Sequence, residues 1–371
     1  MAHQGFFLAV EAAGTGAHPA SWRRADSRAE DLFTGRYWVD LIVAAEQAGL
    51  DAVFLPGSFG VRPGGRLDAV AIAARVAAAT HRIGLIPQAP VTHTEPFHLA
   101  KAIQSLDFAT LGRAGWEVTV SEGDQQARAF GRKPAQDAAS LWHEADEAIE
   151  VVTRLWDSWE DDAEIRDAPT GRFIDREKLH YIDFTGDNFA VKGPSITPRS
   201  PQGQPIVAVR ADGAAATEIA LHRADLIRIG ARDLDAARAR RTELRSALAD
   251  VGRDPGSVHI LLDLDVHLAD SVDAAATELR TLDGWADPVA AAAPAALRHL
   301  GTTETLRELL TAVDSAEAAD GVVLRPLALP AVVRLLPALD RKPQSSGTLR
   351  DRLGLARPAS RYATSTEGTP S

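Results

Sequence analysis

Eight short apolar runs, each followed by a stretch with helical spacing, constrain this chain more than any other feature. The runs lie at 6–11, 50–55, 83–87, 115–121, 205–209, 224–229, 258–266 and 321–324. They are near-continuous in Val, Ile, Leu and Ala, as strands covered on both faces of a parallel sheet must be. Between and after them, stretches at 36–48, 67–80, 96–108, 140–156, 213–222, 232–252, 272–282, 303–313 and 329–340 carry the helical signal. In the 140–156 stretch the apolar stripe is Leu141, Ala145, Ala148, Ile149, Val152 and Leu155, spaced three and four residues apart. Eight strand–helix units in succession predict an α/β protein, a (β/α)8 TIM barrel, with a doubly wound open sheet as the alternative.

Two segments fall outside this ring. Residues 160–204, after the fourth strand–helix unit, form a long polar insertion rich in Pro and Gly, with a small hairpin expected at 184–191. Residues 283–294 read as an Ala/Pro loop around Trp285, placed like a lid. Both are expected on the face where such barrels carry their active-site loops. The barrel is assigned to 1–345, and 346–371 to a C-terminal extension whose Ser/Thr/Gly/Pro-rich end is expected to be partly disordered.

Composition removes several function classes. The 371-residue chain has a net charge of −11 and no long Lys/Arg run, which speaks against a nucleic-acid partner. It has no cysteine, which excludes disulfides and thiolate-bound metals. No apolar stretch reaches the length of a membrane span, and no basic region precedes the short apolar run at the start. A soluble cytoplasmic protein is the expectation. No His/carboxylate cluster has metal-ligand spacing along the chain, so no metal is expected.

Specific motifs narrow the reading. Gly112-Arg113-Ala114-Gly115-Trp116 is a Gly-bounded turn feeding a strand, and Leu155-Trp156-Asp157-Ser158-Trp159-Glu160-Asp161-Asp162 ends an amphipathic helix. With them run His18-Pro19-Ala20-Ser21-Trp22-Arg23, Leu50-Asp51-Ala52-Val53-Phe54-Leu55, Thr80-His81-Arg82-Ile83-Gly84-Leu85, Glu95-Pro96-Phe97-His98-Leu99-Ala100-Lys101 and Ala145-Asp146-Glu147. Later come Gly193-Pro194, Pro198-Arg199-Ser200-Pro201-Gln202-Gly203 and Thr348-Leu349-Arg350-Asp351-Arg352-Leu353-Gly354-Leu355. In this order the set resembles the bacterial luciferase-like flavin-dependent monooxygenases, in the branch of nitrilotriacetate, dibenzothiophene-sulfone and pristinamycin monooxygenases. The resemblance implies a barrel that holds reduced FMN at the C-terminal ends of its strands, supplied by a flavin reductase. It also implies O2-dependent oxidation of a small organic substrate, and a homodimer. The cofactor would carry the chemistry, while the protein positions it and excludes water.

The positions that the resemblance makes flavin contacts are mostly substituted. Gly57 stands where an Asp is usual, Val91 near a Thr, Ala138 and Trp142 at a His and a Tyr, and Asp212-Gly213 in a run of hydroxyl residues that hold the phosphate. Glu117 replaces an Asn. A phosphate carries about two negative charges, so Asp212 beside it repels where a hydroxyl would donate. Gly213 still opens a helix, whose amides favour an anion, and Arg210 is adjacent. These changes predict that FMN binds weakly, differently or not at all.

In their place the strand ends carry charge: Glu11, Glu117, Arg210, Arg228, Asp263, Asp265 and Arg325. Such residues form either an ion-pair network filling the flavin pocket or a clamp in which Arg210, Arg228 and Arg325 hold an anionic substrate. His93 and His143 flank the family site positions and, with Glu117, are candidates for acid/base work. His18 and His98 are further candidates for the mouth. Three functions stay open, and the first is preferred because the ordered motif set outweighs any single substitution against it. One is a two-component monooxygenase with a remodelled flavin or deazaflavin site. Another is a flavin-independent barrel enzyme acting on an anionic or polycyclic metabolite. The third is a non-catalytic homologue serving as a binding or partner subunit.

Overall fold

The computed structural model describes residues 6–60, 65–286, 296–342 and 346–362. Eight parallel strands close into a barrel. They are β1 (Phe7–Glu11), β2 (Ala52–Leu55), β3 (Gly84–Pro90), β4 (Gly115–Thr119), β5 (Ile206–Arg210), β6 (Leu226–Ile229), β7 (His259–Leu268) and β8 (Gly321–Pro326). Each pairs in parallel with the next, and β1 closes the ring on β8 with Phe7 opposite Gly321. That closing pair removes the open doubly wound sheet. It also needs glycine, since a Cβ on Gly321 would lie 2.3 Å from the Phe7 carbonyl oxygen.

The outer ring is made by α1 (Gly35–Gln47), α2 (Ala69–Ala77), α3 (Pro96–Ala109), α4 (Ala138–Asp157), α5 (Ala214–Arg223), α6 (Leu234–Asp250), α7 (Thr303–Ser315) and α8 (Leu329–Leu335). Thr34, Asp68, Asp137, Asp233 and Thr302 cap five of these helices, each side chain accepting a backbone N–H of the first turn. The outer apolar layer lies between strands and helices. The inner layer is smaller. Phe7, Ala9, Phe54, Ile86, Leu261 and Val323 fill the lower barrel, together with Leu349, Leu353 and Leu355. The Thr348-to-Leu355 motif is therefore the plug of the barrel's N-terminal end. Its helix, Leu349–Arg352, is held by a capping box between Thr348 and Asp351.

Two differences from the sequence reading have simple causes. Leu297–Gly301 forms an extra parallel strand on the far half of β7, which runs on beyond the barrel. Its half-polar sequence, Leu-Arg-His-Leu-Gly, hides it. The segment read as a loop from Asp283 is still helical there, because a helix spans Val272–Trp285. The rest of the lid-like loop and the last nine residues lie outside the described residues. The insertion contains two antiparallel ribbons, Glu164–Asp167 with Arg172–Ile174 and Phe184–Thr185 with Ala190–Val191. A further helix, Asp124–Phe130, follows β4.

The C-terminal stretch is clasped to α4 through Glu150, which accepts from Arg154, Arg223 and Arg361 at 2.6, 2.6 and 2.8 Å. Burial pushes the Glu150 carboxyl up. The Arg154 hydrogen bond and the Arg361 and Arg223 charges outweigh it and hold the group at about 2. Its folded value lies below the unfolded one, so its contribution is present above the ordinary carboxylate range and is lost as pH falls toward 2. Glu150→Gln should flatten the stability–pH curve across that acid window. Urea unfolding from neutral pH downward measures this, and curves that stay parallel would refute the assignment.

Candidate functional site

Side chains on a strand alternate between the two faces, so inward positions recur every second residue. Along β1 these are Phe7, Ala9 and Glu11, and along β8 they are Gly321, Val323 and Arg325. The lower layers are apolar and the upper ones are charged. At the C-terminal mouth, residues from every strand meet around one arginine.

That arginine is Arg228 on β6, with no exposed surface. Its Nε donates to Asp263 Oδ1 at 2.9 Å, and Nη1 to both Glu117 oxygens at 3.0 Å. Nη2 donates to Glu11 Oε2 at 2.7 Å. The guanidinium carbon lies 4.7 Å from the centre of the Phe54 ring on β2, a cation–π contact. Around this centre, Arg210 Nη2 pairs with Asp263 at 2.8 Å, and Arg325 pairs with Glu11 at 3.4 Å and with Asp265 at 3.2 Å. Gln88 on β3 donates to Glu117 at 2.8 Å and accepts the Gly57 N–H at 3.1 Å. Arg298, on the extra strand, lies 3.8 Å from Asp265. Arg210, Arg228, Arg298 and Arg325 balance Glu11, Glu117, Asp263 and Asp265, four charges against four.

The carboxyls of this knot are not equivalent. Burial pushes Glu117 up, with Arg228 opposing. Burial also pushes Glu11 up, but Arg228 and Arg325 outweigh it and leave the group below the usual range. Asp265 is raised by burial against the pull of Arg325 and Arg298. Arg228 is held firmly protonated, because Asp263, Glu117 and Glu11 outweigh its burial. Glu117 and Arg228 are sealed from solvent, whereas Arg210 and Arg325 keep 29% and 21% of their side chains exposed at the mouth.

A second group lies on the loops after β3 and β4. His93 is buried and stacks on Phe130 with ring centres 4.5 Å apart, and Phe130 meets Phe59 edge-on at 4.7 Å. Among the described residues neither His93 nitrogen has a hydrogen-bond partner. Thr119 Oγ1 at the end of β4, and Ser121 Oγ, Gln126 Oε1 and Gln136 Oε1 in the segment that follows it, are likewise buried and unpartnered among the described residues. Burial, with help from Lys133, lowers the His93 pKa, so the ring is neutral near pH 7.

The remaining sequence-predicted positions are distributed as follows. Gly57 is pressed against β3, where a Cβ would lie 2.1 Å from the Gln88 carbonyl oxygen. Val91 is fully buried and its N–H donates to the Thr119 carbonyl at 3.0 Å. Ala138 opens α4 on the surface, and Trp142, one turn on, packs into the core. Asp212 is exposed and pairs with Arg210 Nε at 3.0 Å. Gly213, with φ of 95°, precedes α5 in open space. His143 is exposed on α4, 3.1 Å from Asp187. His18 is buried and 3.1 Å from Asp283. The structure thus joins Glu117, Arg210, Arg228 and Arg325 in one knot, while His93 and His143 stand in separate groups. Sequence reasoning missed Gln88, Phe54 and Arg298. The first two could have been found by extending the inward alternation along β2 and β3.

A model of the luciferase-like monooxygenase family matches residues 5–332. The chain belongs to this family. It is 34% identical to the N-acetyl-S-(2-succino)cysteine monooxygenase of Bacillus subtilis over 281 residues, 74% of this chain and 64% of that protein. It is 29% identical to nitrilotriacetate monooxygenase component A of Aminobacter aminovorans, with 74% and 64% covered. The chain therefore spans about 64% of the length of these relatives. Its fold matches the crystal structure of DmoA from Hyphomicrobium sulfonivorans with a TM-score of 0.84 at 22% identity, covering 99% of each chain.

In this luciferase-like barrel the motifs that carry the family likeness do scaffold work. Trp116 and Trp156 meet edge-on at 6.2 Å, and their indole N–H groups donate to the carbonyls of Ala89 and Ala100, each at 3.0 Å. Trp159 donates to the Ser195 carbonyl at 2.7 Å. Among the described residues no helix is long and apolar enough to cross a membrane.

Proposed function

We propose that this chain is a flavin-independent member of its monooxygenase family, a barrel that takes a small organic molecule at its mouth without holding FMN at the family position. The knot around Arg228 carries this reading. It occupies the C-terminal mouth of the barrel, the end at which the family resemblance puts the flavin, and each of its charges already has an ion-pair partner. Two further observations support it. A carboxylate at position 57 would collide with β3. At the phosphate position, exposed Asp212 engages Arg210 and would repel a dianion. A balanced knot also offers an anionic substrate no net attraction. The group around His93 is the better place for a ligand. It combines an aromatic wall with buried polar atoms on five side chains that, among the described residues, lack protein partners, and these suit a neutral molecule bearing both donors and acceptors.

The second reading is a two-component monooxygenase that oxidises a small organic substrate with O2 and reduced FMN from a flavin reductase. The identity to the Bacillus subtilis monooxygenase favours it, as does the helix opened by Gly213 beside Arg210. One relative is itself named as component A of its enzyme, which also leaves room for a partner-subunit role. A homodimer is the proposed assembly. One titration separates the readings. Oxidised and photoreduced FMN added to the purified protein should give no saturable binding below about 100 μM. Low-micromolar binding of either form would replace the first reading by the second. His93→Ala should leave the fold intact and abolish retention of any metabolite captured by the wild type.

A further inference from the structure

His143 and Glu147 stand one turn apart on α4 and face the same way. The ribbon formed by Phe184–Thr185 and Ala190–Val191 brings its turn down onto them. The N–H groups of Asp187 and Asn188 donate to the two Glu147 oxygens at 2.6 and 2.8 Å. Gly186 permits this approach, since a Cβ there would lie 2.6 Å from the Glu147 carboxyl. The turn is thereby held in one register, with Asp187 Oδ2 3.1 Å from His143 Nε2. Glu147 Oε1 is 3.7 Å from the same nitrogen.

We propose that His143, Glu147 and Asp187 form a binding site for a divalent transition-metal ion of the zinc type, fastening the insertion to α4. One donor atom from each lies within 4.8 Å of the other two. An ion with bonds of about 2.0–2.2 Å separates its ligand atoms by roughly 3–3.5 Å, and the observed spacings bracket that value. The ligand set, one imidazole and two carboxylates, is of the kind that zinc and its neighbours in the transition series accept. A second observation points the same way. Among the described residues neither Glu147 nor Asp187 forms an ion pair with Lys or Arg; His143 is the one basic group beside them. Nearby Glu144 and Glu150 are matched by Lys133 and by Arg154, Arg223 and Arg361. Two carboxylates with no Lys or Arg partner among the described residues therefore face one imidazole. His143 and Asp187, with Gln136, Ser140 and Asn188, border an open cavity of about 460 Å³, so water could complete the coordination shell. This inference is independent of how the barrel mouth is used.

Calorimetric titration of the chelator-treated full chain with Zn2+ or Ni2+ tests it. The expected result is one equivalent bound with a micromolar or lower Kd. His143→Ala and Asp187→Asn should each weaken binding at least tenfold with an unchanged circular-dichroism spectrum. Both side chains are exposed, and the N–H groups that hold the turn to Glu147 remain in each variant. His180→Ala, which removes a histidine paired with Glu160 elsewhere on the insertion, should leave the affinity unchanged. Absence of saturable binding, binding unaffected by His143→Ala, or loss of binding in His180→Ala would overturn the assignment.

Discussion

Arg228→Met should lower the unfolding free energy by about 3–5 kcal/mol, or leave no soluble protein, because it strands buried carboxylates that share one cation. Glu117 and Asp263 are without exposure, and the Arg228 fork satisfies both together with Glu11. Water cannot reach these groups to replace it. The defect should shrink with falling pH. Burial already holds the Glu117 carboxyl above its ordinary value, and without Arg228 to oppose it the stability tied to this group is present in acid and lost as pH rises through the folded value. Adding Glu117→Gln and Asp263→Asn should recover most of the loss, since the polar shapes remain and the charges do not. Arg228→Lys should be intermediate, because an ammonium cannot match a three-way fork. Urea unfolding of the four proteins gives the comparison. An Arg228→Met protein within about 1 kcal/mol of the wild type would mean the knot is wet or fluid.

Arg113→Met should be nearly as damaging, for a different reason. Among the described residues Arg113 is buried without a carboxylate partner, and burial lowers its pKa. Its guanidinium donates to the carbonyls of Thr110, Ile83, Thr80 and Ala77 at 2.7, 2.8, 2.9 and 3.3 Å. It thereby ties the turn before β4 to the end of α2 and the start of β3. Each buried carbonyl left unsatisfied costs about 1–3 kcal/mol, so a loss of roughly 3–5 kcal/mol is expected after partial relaxation. No second-site change of charge should rescue it, in contrast to Arg228. Thermal unfolding tests the magnitude, and amide exchange at β3 should accelerate. Wild-type protection at Gly84 and Leu85 in a folded Arg113→Met protein would contradict this account.

Arg113 and Arg228 also mark how far the sequence could be read. Arg113 sits in the short contiguous Gly112-to-Trp116 motif, which is recognisable by itself, although three of the four carbonyls it holds lie 30, 33 and 36 residues away. The eight buried runs were legible for a similar reason, since apolar continuity is a local property. Leu297–Gly301 was not, because an edge strand beyond the barrel need not be apolar on both faces. Arg228, Glu117 and Glu11 were visible as unusual charges at strand ends. Whether they would pair or clamp a ligand was not, since Glu11 and Arg228 are 217 residues apart in sequence. The His143, Glu147 and Asp187 group was hidden in the same way, with 40 residues separating Glu147 from Asp187.

Local periodicity and ordered motifs are thus sufficient to specify the strand–helix succession, the barrel and the family. They act through contacts between near neighbours and through apolar burial, which depends on residue type more than on partner. Barrel closure decided the rest. It set which residues of each strand point inward, brought four arginines and four carboxylates into one dry volume, and folded the insertion back onto α4. The energy of a buried charge depends on the identity and distance of its partners across the whole ring, and no window of sequence contains them.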